Sequence, residues 1–171
     1  SVMSSPSNPP KYIASLLKKV SLFRNLRPEE LNEAIASART AQKEPDGFFF
    51  MEEDPAASIY LLTKGKVKLL KVTPDGQQVI LGYISPGMEF GLLAVLNETT
   101  YPITAQAVGS CEAMVWNREA FNQLLKQSHQ FTLNAISILA GHIRDYQQQI
   151  KDLATQRVES RIARLLLRLA Q

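Results

Sequence analysis

Between about Thr40 and Trp116 the chain is punctuated by turn-forming clusters at Pro45-Asp46-Gly47, Glu53-Asp54-Pro55, Lys64-Gly65-Lys66, Thr73-Pro74-Asp75-Gly76, Ser85-Pro86-Gly87 and Tyr101-Pro102. β-Branched and aromatic residues fill the intervals, so this stretch reads as about eight short strands rather than long helices. Alternation is clearest where Val67, Leu69 and Lys71 face one way and Lys66, Lys68 and Leu70 the other. Val79 to Ile84 follows across a Pro-Asp-Gly hairpin turn. Many short strands expose many unpaired edges, and a two-layered antiparallel β-roll is the economical way to hide them. Gly91 followed by Leu92-Leu93-Ala94-Val95-Leu96, with Asn97-Glu98 after it, predicts one or two helical turns inserted into the roll.

Helical spacing brackets this region. Ile13, Leu16, Leu17 and Val20, then Leu31, Ala34, Ile35 and Ala38, mark two leading helices over Lys11–Val20 and Pro28–Ala38, with Pro28 suited to a helix start. After Trp116 a short helix is expected from Arg118 to Gln127 and a long one from about Phe131 to Thr155. Ile136, Leu139, Ile143, Tyr146, Ile150 and Leu153 recur at alternating intervals of three and four, which is a heptad seam. Isoleucine at the a positions and mostly leucine at d favour a parallel two-stranded coiled coil, so these six residues are the candidate dimer interface. The flanking Ala140, His142, Gln147, Gln149 and Ala154 are small or polar. Beyond them Val158, Ile162, Leu165, Leu166 and Leu169 form the apolar face of a last helix, with Arg157, Arg161, Arg164 and Arg168 on its opposite side. That apolar face is still uncovered at Gln171, which suggests a truncated domain.

A length of 171 residues suits about one domain, and 45% hydrophobic with 20% charged residues excludes a disordered chain. No apolar run is long enough to span a membrane, and Ser1 to Pro10 has neither the basic start nor the apolar stretch of a signal peptide. The single cysteine, Cys111, excludes a disulfide framework, a cysteine-rich zinc site and a cysteine-held iron–sulfur cluster, so a reducing cytoplasm is the expected compartment. The net charge of +3 is concentrated: residues 144 to 171 hold six basic and three acidic groups, while 13 of each sign cancel elsewhere. A positive C-terminal end on a neutral body suits a polyanionic partner or a solvated helix face.

A β-roll metal enzyme needs several histidines on its strands, and the only two here are His129 and His142. No catalytic or metal-binding residue is therefore assigned, and the chain reads as a non-enzyme. Cys111 reads as a small buried strand residue. Trp116 and Phe48-Phe49-Phe50 read as core.

Gly47 to Lys68, with its two glycine-marked strand turns, resembles the opening of the sensor domain in the cyclic-AMP receptor / fumarate-nitrate regulator superfamily of bacterial transcription factors. Ser85-Pro86-Gly87-Met88-Glu89-Phe90-Gly91-Leu92-Leu93-Ala94 is similar to that family's phosphate-binding cassette, and Tyr101-Pro102-Ile103-Thr104-Ala105-Gln106-Ala107 to the strand after it. The resemblance implies an α+β fold: a cyclic-nucleotide-binding-like double-stranded β-helix, or jelly roll, with flanking helices and a long C-terminal dimerisation helix. It divides the chain into a disordered leader (1–10), a sensor domain (11–127), a dimerisation helix (128–155) and the start of a truncated winged helix-turn-helix domain (156–171). One departure is Glu53, where the family usually has glycine, so that turn is a place where the backbone is expected to differ.

A cassette of this kind offers helix N-terminal N–H groups to an anion, and a close approach at Gly91. By resemblance the effector-binding candidates are Phe90, Gly91, Leu92, Leu93, Thr104, Ala105 and His142. The family's cyclic-AMP binders have glutamate just after the cassette glycine and arginine on the next strand; here Leu92 holds the first position. The second falls within Tyr101 to Ile103, and no arginine occurs between residues 40 and 117. Cyclic AMP therefore lacks its charged anchors. Thr104 and the cassette N–H groups leave room for a smaller anion such as a dicarboxylate. Phe90-Gly91-Leu92-Leu93 is similar to the cassette of 2-oxoglutarate-sensing nitrogen regulators, although those carry an arginine where His142 aligns. An iron–sulfur cluster is excluded, and haem is left open. The resemblance implies a homodimer, DNA as partner of the full-length protein through Arg157, Arg161 and Arg164 near its phosphates, and RNA polymerase as a further partner. The alternative reading is a stand-alone cyclic-nucleotide-binding-like regulatory module of a signalling protein that does not bind DNA.

Overall fold

The computed structural model describes residues 11–96 and 99–170; the expected leader over 1–10, the Asn97-Glu98 boundary and Gln171 lie outside the described residues. Helix α1 (Lys11–Lys18), a 3₁₀ turn (Ser21–Phe23) and α2 (Pro28–Ser37) lead into strands β1 (Arg39–Lys43), β2 (Phe48–Phe50), β3 (Ser58–Val72), β4 (Gln78–Ile84) and β5 (Glu89–Phe90). After these come α3 (Leu92–Leu96), β6 (Thr104–Asn117), α4 (Arg118–Gln127) and α5 (His129–Leu169). Local signals set several of these limits. Pro28 opens α2, where the Arg27 N–H donates to the Glu30 carboxylate at 2.8 Å, and that bond holds the Glu30 pKa below its usual value. Asn117 caps α4 by accepting the Ala120 N–H at 2.8 Å.

The described residues form six strands, not about eight: β3 runs straight through Lys64-Gly65-Lys66, which reads as a turn, and β6 is one strand of 14 residues. Gly65 (φ +92°) and Gly109 (φ +76°) bend the two strands without ending them, and the β3–β6 register shifts on either side of Lys64. Gly65 is sterically required: a Cβ there would lie 2.5 Å from the Ser110 carbonyl oxygen and 2.7 Å from the Cys111 sulfur.

β3 and β6 pair antiparallel along nearly their whole length. At one end β5 extends the pair from β3 and β1 from β6; at the other end β4 extends it from β3 and β2 from β6. Tyr60 and Leu62 from one half of β3 share a single core with Val67 from the other half. Ala105 and Ala107 do the same with Cys111, Ala113 and Val115 on β6. The ribbon is thus folded over on itself, which is the two-layered jelly roll of the expected α+β fold.

Ile59 and Leu61 point away from that interior, yet they too are buried, because helices cover the outer face of this end of β3. Trp116 donates its indole N–H to the Ala34 carbonyl at 2.7 Å, and Phe23 lies 5.4 Å from Trp116 and 5.7 Å from Phe131 between ring centroids. Asn134 ends this compact unit, donating to the Leu22 and Arg24 carbonyls. Trp116 and Cys111 are core residues as expected; the Cys111 thiol donates to the Lys66 carbonyl at 3.1 Å.

The second unit, from Ala135 onward, is the rest of α5. The expected break between a helix ending near Thr155 and a separate last helix is absent: α5 is one helix of 41 residues. Thr155-Gln156-Arg157 contains neither glycine nor proline, so nothing local interrupts the hydrogen-bond ladder there.

Candidate effector site

A bulge between Phe48 and Phe50, where β2 meets β6, turns two successive phenylalanines inward. Phe49 and Phe50 are buried, whereas Phe48 is exposed, which corrects the reading of all three as core. With Tyr60, Phe90 and Tyr101 they make a five-ring cluster inside the roll. Phe50 and Tyr101 stack at 3.7 Å between centroids, Tyr60 and Phe90 stack at 5.1 Å, and Phe49 meets Phe90 edge-on at 5.3 Å.

Tyr101 ties the cluster to the backbone. Its hydroxyl donates to the Ser58 carbonyl at 2.5 Å and accepts the Ser58 N–H at 3.0 Å. Burial pushes the Tyr101 phenol up to about 12, and burial likewise raises Tyr60, whose hydroxyl donates to the Phe49 carbonyl.

The cassette begins where β5 ends. Gly91 has φ +89°, and a Cβ there would stand 3.1 Å from the Ser58 carbonyl oxygen and 3.4 Å from the Tyr101 ring. The chain then enters α3, with Leu92, Ala94 and Val95 buried and Leu93 at the surface. Phe90 and Ala105 lie in the same core as Tyr101, Ala105 pairing with both Phe50 and Leu69. Thr104 is buried, and its hydroxyl oxygen accepts the Glu52 N–H at 2.9 Å. His142 is half-buried on α5 in the second unit. Glu53, in place of the usual glycine, still holds φ +74°, so the turn keeps a left-handed residue despite the substitution.

The structure thus groups Phe90, Gly91 and Ala105 around Phe50, Tyr60 and Tyr101, rings that the sequence alone did not place in the effector site, with Ser58 as their backbone anchor. The buried polar residues among those described are Ser58, Thr63, Thr104, Ser128 and Asn134, and none carries a charge. The interior can select by shape and by neutral hydrogen bonds, but it offers no buried charge to a bound phosphate.

Of the seam residues, Ile136, Ile143, Tyr146, Ile150 and Leu153 are exposed and Leu139 half-buried, a row of large apolar side chains turned to solvent. Arg157, Arg161 and Arg164 are exposed farther along the same helix.

A jelly roll with a glycine-turned cassette between its fifth and sixth strands, followed by one long helix, defines a small-molecule sensor module of the cyclic-nucleotide-binding type. The chain belongs to the cyclic nucleotide-binding domain family, whose model matches residues 42–128. Several of its relatives are transcription factors of the cyclic-AMP receptor / fumarate-nitrate regulator type. It is 27% identical over 161 residues to a CRP-like cAMP-activated global transcriptional regulator of Mycobacterium tuberculosis, covering 91% of this chain and 70% of that protein. To the transcriptional activator protein Anr of Pseudomonas aeruginosa it is 28% identical over 142 residues, covering 83% of this chain and 57% of that one. The sensor domain of the transcriptional regulator DNR from Pseudomonas aeruginosa superposes with a TM-score of 0.70 at 28% identity, over 82% of this chain and 92% of that one.

Proposed function

We propose that this chain is the effector-sensing and dimerisation region of a cytoplasmic, DNA-binding transcriptional regulator. An effector held at the roll would act through the dimer helix on a helix-turn-helix in the full-length protein. The observation that carries this reading is the exposed heptad row Ile136 to Leu153 on α5, together with the cassette-bearing roll. A monomer would leave those side chains in water, whereas a parallel pair buries them against their own copies. The effector we assign is a small anion, not cyclic AMP: Leu92 is a buried apolar residue where a ribose-binding carboxylate would be needed, and no arginine occurs between residues 40 and 117. Backbone N–H groups of the cassette and the Thr104 hydroxyl are the available donors. RNA polymerase is the further partner that the family resemblance implies for the DNA-bound dimer.

Sedimentation tests the core of this reading. The chain is expected to sediment as a dimer and Ile143→Lys as a monomer with unchanged far-ultraviolet dichroism, because two unpaired ammonium groups at one layer cost several kcal/mol each, to order of magnitude. A dimeric Ile143→Lys chain would place the interface elsewhere. The full-length protein should bind a pseudo-palindromic duplex with half-sites about one helical turn apart. Failure to do so with every effector tried would remove the regulator assignment.

A further inference from the structure

Val67, Leu69 and Lys71 alternate along β3, and the first two belong to the interior of the roll, Val67 as a buried member of its core and Leu69 packed against it. The alternation survives the irregular pairing with β4. Leu69 pairs with Gly82 and Leu70 with Ile80, so the extra residue is Leu81 on β4, and β3 itself stays regular. Lys71 therefore follows Val67 and Leu69 on the inner side of β3, close to the strand's end at Val72. Five lysines and no arginine occur between residues 40 and 117, and Lys71 alone among them continues that inner column.

The Lys71 ammonium already holds a carboxylate. Its Nζ lies 3.3 Å from Glu52 Oε1, with Lys71 exposed and Glu52 half-buried. The main chain around Glu52 is fixed independently of that pair. The Glu52 N–H donates to the Thr104 hydroxyl, the Glu53 N–H to the Tyr101 carbonyl and the Tyr101 N–H to the Asp54 carbonyl, each at 2.9 Å. Turning the Glu52 side chain away from Lys71 breaks none of these bonds. An ion pair that reaches water is also weak, so another carboxylate can take the place of Glu52 while the turn stays folded.

We propose that Lys71 is the charged anchor for one carboxylate of a dicarboxylate effector, and that Glu52 is its built-in competitor, displaced when the effector binds. The proposal rests on the small-anion reading above and names the cation that reading lacks. An ammonium is a compact point charge that suits a single carboxylate, as it does that of Glu52, whereas a phosphate is better met by the planar fork of an arginine. Glu52 is tethered beside Lys71 and so competes at a high effective concentration. A monocarboxylate offers Lys71 nothing that Glu52 does not supply already. A dicarboxylate brings a second group for the uncharged donors of the site, and that surplus is what displaces Glu52.

Calorimetric titration of the whole chain with succinate, glutarate and 2-oxoglutarate tests it. The probe that binds best should bind Glu52→Gln about two- to fivefold more tightly than the parent, the range set by loss of an exposed ion pair. Lys71→Gln should weaken the same probe about tenfold or more, the loss expected for a hydrogen bond to a charged group. Lys71→Arg should recover most of that loss, and Lys71→Gln/Glu52→Gln should bind no better than Lys71→Gln. A gain in affinity cannot come from misfolding, so Glu52→Gln keeps the test decisive if Lys71→Gln is unstable. Unchanged affinity in Lys71→Gln, or no gain in Glu52→Gln, overturns this proposal and leaves the small-anion reading standing. Failure of all three probes to bind the parent and Glu52→Gln at millimolar concentration removes the small-anion reading and this proposal with it.

Discussion

One side chain, Tyr101, satisfies both backbone groups of Ser58, giving its hydroxyl hydrogen to the carbonyl at 2.5 Å and receiving the N–H at 3.0 Å. Ser58 opens β3, but β5 pairs only with Tyr60 and Leu61, so the ladder stops short of it on that side. The phenol takes the place of the missing strand. Its ring, stacked on Phe50 and close against Gly91, joins the cassette to the start of the strand that spans both layers.

Tyr101→Phe keeps the stacked ring and removes the hydroxyl, which leaves a buried donor and a buried acceptor without this partner. Urea unfolding should show a loss of about 2–6 kcal/mol, the sum expected for two unsatisfied groups. A loss under about 0.5 kcal/mol would mean that other groups or water replace the phenol there.

Alkaline titration should report the same residue independently. The Tyr101 phenol is raised to about 12 in the folded chain, while an unfolded phenol ionises near its ordinary value of 10.0. Its contribution is therefore complete below the unfolded value and is lost as pH rises toward the folded one, by about 2–3 kcal/mol over the interval. The parent chain should lose more stability than Tyr101→Phe in that window. Parallel slopes for the two would show that the phenol ionises in the folded state as freely as in water.

Gly65→Ala and Gly76→Ala separate backbone strain from collision. Both glycines have positive φ, +92° and +86°, but a Cβ at Gly76 meets nothing within 4 Å, whereas at Gly65 it meets Ser110 backbone at 2.5 Å. The cost at Gly76 should be about 1 kcal/mol and at Gly65 several times that, to order of magnitude, read from the shift in urea midpoint. Equal costs would show that β3 and β6 can separate at the bend without penalty.

Cyclic AMP should bind weakly or not at all. Calorimetry on the purified chain that returned a micromolar dissociation constant, about −8 kcal/mol, would show that the roll anchors a cyclic phosphate without the arginine and carboxylate it lacks.

Local sequence is decisive wherever a few neighbouring residues settle the outcome. Pro28 and Asn117 set the starts of α2 and α4, Thr73-Pro74-Asp75-Gly76 closes the β3–β4 hairpin through the Gly76 N–H to the Thr73 carbonyl, and the heptad spacing marks the exposed row on α5. The family itself was legible through Ser85 to Ala94, because a glycine-turned cassette is a contiguous string. Tertiary structure decided what depends on a distant partner. A glycine in a hairpin and a glycine in a bulge look alike locally, and only the approach of Ser110 and Cys111 makes Gly65 a bend inside one long strand. The alternation rule sends Phe49 and Phe50 to opposite faces until the irregular pairing with β6 turns both inward. Tyr101 and Ser58 stand 43 residues apart, and no periodicity links them. Their hydrogen bonds exist because the folded ribbon brings an unpaired strand end and a phenol to one place, where water is excluded and each must satisfy the other.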